Sequence, residues 1–140
     1  MVVVGGGWIA LETAAAAART AGPLVTILEH SELPLLKVLG REAAEVFADL
    51  HRDQGVVLRP HAAVERITGD GTRADGVQLA DGTRLPADCV GGIGITPNVQ
   101  LAEAAGLEVR NGIVTDERLR TSAQDVYAAG LITAPTFSQE

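Results

Sequence analysis

The chain has 140 residues and a formal net charge of −7, enough length for one packed domain but too little for two independent domains of ordinary size. Its composition, 46% hydrophobic but only 3% aromatic with 16 glycines, suits close helix-on-sheet packing rather than disorder. No stretch concentrates Lys and Arg, which argues against nucleic acid and anionic membranes as partners. The longest apolar run, Ile9 to Ala18, is broken by Glu12 and falls far short of the roughly 20 residues of a membrane span.

Met1 leads straight into the β-branched run Val2 to Val4 with no basic segment before it, so no secretory signal is expected and a cytoplasmic location is. Three glycines follow, then an alanine-rich helix from Trp8 to Ala21 closed by Gly22-Pro23. Leu24 to Leu28 is continuously apolar, as a parallel strand covered on both faces should be, and ends at Glu29. Residues 30–40 are expected to be a loop and Arg41 to Gln54 an amphipathic helix, with Ala44, Phe47, Ala48 and Leu50 apolar. Gly55 ends that helix, and a third strand at Val56 to Leu58 completes a βαβαβ order.

From Ala62 the pattern shifts to short strands divided by Asp70-Gly71, Asp75-Gly76 and Asp81-Gly82, an antiparallel β-meander used as a crossover. A parallel strand at Asp88 to Gly91 leads into Gly92-Ile93-Gly94-Ile95-Thr96-Pro97-Asn98, where Asn98 is placed to cap a short helix at Val99 to Ala105. Extended pieces follow at 107–110 and 113–115, with a last strand expected at Val126 to Ala129 and a loosely ordered tail after Gly130. The expected fold class is α/β: a Rossmann-like parallel sheet with an antiparallel meander crossover. The single cysteine, Cys89, excludes an intramolecular disulfide and reads as a core residue. His30, His51 and His61 show no metal-ligand spacing and read as surface or loop residues, leaving no metal site and no catalytic residue to assign.

Gly5, Gly7 and Ala10 fit G-x-G-x-x-G/A between a strand and a helix. The first glycine permits the tight turn, the second lets the backbone approach a pyrophosphate, and the small third residue lets helix and strand pack closely. The helix mouth adds unpaired N–H groups and about half a positive charge. Glu29 ends the next strand, where a carboxylate accepts hydrogen bonds from an adenosine ribose and repels a 2′-phosphate, which points to NADH rather than NADPH. No arginine directly follows it: His30, Ser31 and Glu32 come next. Glu12 is either a contact near the nicotinamide or a helix-face acid, and Trp8 either shields the cofactor or packs on the loop. The backbone of the second glycine turn is placed to support a nicotinamide ribose.

Together, "VVVGGGWIALE", "VTILE", "LLKVLGREAAEVFADLH", "GIGITPNVQLAEAAGLEV", "NGIVTDERLRTS" and "VYAAG" resemble, in order, the FAD-dependent pyridine nucleotide oxidoreductases of the ferredoxin, rubredoxin and putidaredoxin reductase branch. The resemblance implies an oxidoreductase in which NADH passes hydride to FAD and electrons go singly to an iron–sulfur protein. It implies NADH contacts at Gly5, Gly7, Glu12, Glu29, Ile93 and Gly94, and Gly6, Trp8 and Ile9, at the turn and the helix start, are candidate contacts beside them. It makes residues 1–115 the NADH-binding domain and 116–140 a returning segment of the FAD domain.

Two departures stand out. Gly91 occupies a strand position where the family has an aliphatic residue, and Leu131 follows "AAG" where the family has an FAD-holding aspartate. The family's N-terminal FAD half, with its own glycine fingerprint, is not among these residues. The chain is therefore expected to bind NADH but not FAD. Three roles stay open: an NADH-binding domain that is not competent alone, a subunit completed by a separate flavin-bearing chain, or a non-catalytic interaction module. Homo-oligomer formation is left open too.

Overall fold

A computed structural model describes residues 1–20 and 24–135, which fall into two compact units, Met1–Gly94 and Ile95–Glu140. In the first unit, β1 (Val2–Val4), α1 (Trp8–Arg19), β2 (Thr26–Leu28), α2 (Leu36–Asp53) and β3 (Val57–Arg59) follow in the expected order. After them come β4 (Val64–Gly69), β5 (Ala74–Leu79), β6 (Arg84–Pro86) and β7 (Cys89–Gly91). A four-stranded sheet in the order β3-β2-β1-β7 is parallel throughout, and β4-β5-β6 form a separate antiparallel sheet. The α/β class with a meander inserted before the returning strand is thus the observed fold.

Alternation along the parallel strands explains how both faces of that sheet are covered. Val3 and Ile27 pack with Ala10, Leu11 and Ala14 of α1 and with Leu35 and Val56, while Val2 and Leu28 pack with Val77 and Leu79 of the meander. All of β2 is buried, Thr26 with Ile27 and Leu28, which fits a strand with no face left to solvent. Small residues on the inner face of α1 let the helix lie close to the strands.

Two expectations about the helices are corrected. The segment read as a loop over 30–40 holds a short helical turn from Leu36, which Gly40 (φ 76°, ψ 173°) separates by a break from the helix expected to start at Arg41. His51, read as a surface or loop residue, is buried on α2. Its Nδ1 lies 2.8 Å from the Phe47 carbonyl oxygen and its Nε2 3.1 Å from that of Leu11, so it ties α2 to α1. Each tautomer of the ring donates to only one of the two carbonyls, so replacing His51 with Leu is expected to lower stability by about 0.5–1.5 kcal/mol, one hydrogen bond's worth. In urea the transition midpoint should fall at unchanged slope.

The doubt raised by Gly91 is resolved by position. β7 lies at the edge of its sheet and pairs fully with β1, and a Cβ built on Gly91 meets nothing within 4 Å. Gly91→Ala is expected to stabilise the chain by roughly 0.4–1 kcal/mol by restricting the unfolded backbone, seen as a rise of a few degrees in melting temperature. The closure of α1 at Gly22-Pro23 and the side chain of Cys89 lie outside the described residues.

In the second unit, α3 (Gln100–Ala104), β8 (Val109–Arg110), β9 (Gly112–Thr115) and β10 (Thr133–Pro135) form a helix and a three-stranded sheet in the order β10-β9-β8. Val99, not Asn98, occupies the N-cap of α3, and no side chain caps it. The strand expected at Val126 to Ala129 does not form: Tyr127 makes only an isolated bridge to Arg120. Residues 133–135, read as part of a loose tail, instead pair in parallel with Ile113–Thr115. Positions 136–140 lie outside the described residues.

Candidate functional site

Strands β1, β2 and β7 end side by side, and hydrogen bonds continue the ladder past their ends. The Gly5 N–H donates to the Leu28 carbonyl at 2.8 Å, and the Gly92 N–H to that of Val4 at 3.0 Å. This is the carboxyl edge of a parallel sheet, where ligands enter doubly wound folds. A cleft of about 400 Å³ opens there, lined in part by Gly5, Leu28, Glu29, His30 and Ile93.

The three glycines of the turn are glycine for three different reasons. Gly5 has φ 93°, and a Cβ there would lie 2.7 Å from the Gly92 carbonyl oxygen, so neither conformation nor space admits a side chain. A Cβ on Gly6 would lie 2.5 Å from Glu29 Oε2 and 3.1 Å from the Pro34 Cα. Gly7 differs from both. Its backbone is extended (φ −80°, ψ 177°), and a Cβ there meets nothing within 4 Å, so nothing in the protein requires a glycine.

Gly7 is also the N-cap of α1, with no side-chain cap and no acid in the first turn. The first amide bonded back along the helix is that of Leu11, which donates to the Gly7 carbonyl at 3.0 Å. The N–H groups of Trp8, Ile9 and Ala10 precede it at the positive end of the helix dipole. Ala10 is buried, and its methyl lies 3.4 Å from where a Gly92 Cβ would stand, so the small third motif residue lets helix and returning strand meet.

Glu29 is half-buried at the end of β2. The Ser31 N–H donates to its Oε1 at 2.6 Å, which orients the carboxylate and leaves Oε2 beside Gly6. The structure thus brings Gly5, Gly6 and Glu29 together, with Ile93 on the wall of the same cleft, 87% exposed, Gly7 next in the chain at the helix mouth, and Gly94 after Ile93 at φ 132°. Trp8 and Ile9 are exposed at the helix mouth, the Trp8 ring meeting Phe47 edge-on at 5.4 Å, which is a packing contact. Glu12 is an exposed residue of α1.

Sequence reasoning placed Gly92 in the second glycine turn but missed its carbonyl beside Gly5, and it missed Ser31 and Pro34 as parts of the site. Their contributions are backbone groups, and only the adjacent strand ends signal them. Leu131 is 72% exposed in the second unit and carries no acceptor, so the flavin contact expected of the family's aspartate cannot be made there.

The model of the pyridine nucleotide-disulphide oxidoreductase family matches residues 1–139. Putidaredoxin reductase of Pseudomonas putida is 42% identical over 133 residues, covering 93% of this chain and 31% of the relative. Rhodocoxin reductase of Rhodococcus erythropolis is 41% identical over 131 residues, covering 93% and 30%. Among solved structures, a ferredoxin reductase from Rhodopseudomonas palustris superposes with a TM-score of 0.77 at 36% identity, covering 96% of this chain and 33% of that one. The chain spans about a third of the length of the relatives it matches. A glycine turn, a strand-end acid and a returning strand in this arrangement, matched along nearly every residue, establish that the chain belongs to the pyridine nucleotide-disulphide oxidoreductase family.

Proposed function

We propose that this chain is the NADH-binding part of a ferredoxin-reductase-type oxidoreductase, residues 1–115 forming the NADH-binding domain and 116–140 a return toward the flavin domain. One observation carries the reading: Gly7 is a glycine with no steric or conformational need to be one, at the mouth of an uncapped helix. A pyrophosphate lying against that backbone supplies the need. NADH bound there would bring a transferable hydride. The chain's own work is positional: the α1 amides hold phosphate oxygens, Glu29 Oε2 accepts from ribose hydroxyls, and Ile93 and Gly94 line the way to the nicotinamide.

FAD does not fit the residues present, given Leu131, and belongs to the flavin-bearing remainder of the assembled enzyme. The electron acceptor is an iron–sulfur protein, by analogy with the relatives named putidaredoxin and rhodocoxin reductase. Leu101, Tyr127 and Leu131 are exposed apolar residues of the second unit, which favours a flavin-bearing partner that covers them. Among the described residues no helix is long and apolar enough to cross a membrane.

Calorimetric titration of the purified chain with NADH and NADPH tests the reading. Heat of binding with NADH and a much weaker response to NADPH are expected. No heat from either at millimolar ligand would exclude it.

A further inference from the structure

The acid at the end of β2 is not the only charge that bears on dinucleotide choice. Three residues beyond Glu29 stands Glu32, and its carboxylate meets the Arg41 guanidinium in a two-pronged pair: Nη1 to Oε1 at 3.0 Å and Nη2 to Oε2 at 2.6 Å. Gly40, which breaks α2 just before Arg41, sets the arginine at the start of the second helical segment. A second acid, Glu45, lies 3.7 Å from Nη1. The pair holds the Glu32 carboxyl below the usual carboxylate range, chiefly through its hydrogen bonds to Arg41.

Glu32 shares one tight loop with Glu29. Between them, Ser31 donates its N–H to Glu29 Oε1 and accepts from the His61 N–H at 3.3 Å. A dinucleotide that carries a 2′-phosphate brings about two negative charges to that loop, and an arginine fork is the group best suited to receive them. The sequence places no arginine directly after Glu29, but the fold brings one back from twelve positions on. That arginine is already engaged. Arg59, at the end of β3, lies within electrostatic reach of Asp81.

We propose that Glu32 is a second determinant of dinucleotide choice: by holding Arg41 in a bidentate pair, it denies a 2′-phosphorylated dinucleotide its cationic partner. Glu32 is a positioning residue, acting through Arg41 rather than by touching NADH, and the inference rests on the NADH site proposed above. Removing it subtracts one negative charge from the loop and leaves Arg41 with only its looser pair to Glu45.

The test titrates the 140-residue chain, Glu32→Ala, and Glu32→Ala with Arg41→Ala, against both NADH and NADPH. Glu32→Ala is expected to tighten NADPH binding by about fivefold, in keeping with an exposed ion pair, and to leave NADH within about twofold. The gain should vanish in the double variant. It should also shrink at about 0.5 M salt, where screening acts within roughly 4–5 Å. If the unaltered chain binds NADH but Glu32→Ala leaves NADPH unchanged, or tightens both dinucleotides equally, the proposal is overturned and the site stands. If the unaltered chain binds no NADH, the site itself is refuted and this inference falls with it.

Discussion

Gly7→Val is expected to reduce NADH affinity by about a hundredfold while the fold survives. The protein has room for a Cβ: the backbone is extended at this position and a Cβ meets no neighbour within 4 Å. Losing glycine at the helix N-cap costs no more than about 1 kcal/mol. A valine there would stand where the pyrophosphate has to approach the α1 amides. Two charge-assisted hydrogen bonds at roughly 1.5 kcal/mol each correspond to about a hundredfold in affinity. Melting temperature and NADH titration measured together check the claim: a variant that folds and still binds NADH as tightly contradicts it. Gly5→Val is no substitute, because φ 93° and the nearby Gly92 carbonyl would damage the turn itself.

The second large effect is at Glu29. Glu29→Ala removes the Oε2 acceptor beside Gly6 and the carboxylate that Ser31 orients. NADH affinity is expected to fall about thirtyfold, while NADPH, which the carboxylate repels, changes much less, so the preference between the two narrows. Titration with both dinucleotides reads this directly. An unchanged NADH affinity would show that the ribose contact does not exist.

Much of the first unit was legible in the sequence because its signals are local. The run Leu24 to Leu28 reads as a strand buried on both faces; the strand forms at Thr26–Leu28, all of it buried, while Leu24 stays exposed, and the glycines after Val4 mark the turn at which the site is built. His51 escaped because a histidine is weighed as polar, although it falls on the stripe of Ala44 and Ala48 at i+7 and i+3, the spacing of a buried helix face. The first turn of α2 escaped because Gly40 punctuates the sequence as a helix boundary would, yet the helix resumes after it.

What pairing alone decides was not legible. Val126 to Ala129 has strand-like residues but finds only one bridge, whereas Thr133–Pro135 has β9 beside it and takes the edge position that a proline tolerates. The pair between Glu32 and Arg41 is of the same kind: nine positions separate its partners, and only the bend at Gly40 brings them together. In the site itself, the glycines and Glu29 could be named from their spacing, but the reason each glycine is needed came only from what stands next to it.

The most direct measurement is a crystal structure of this chain grown with NADH. The account predicts pyrophosphate oxygens on the amides of Trp8 to Ala10, across the bare face of Gly7, and ribose hydroxyls within about 3.2 Å of Glu29. A dinucleotide bound elsewhere, or a cleft left empty at saturating NADH, would contradict it.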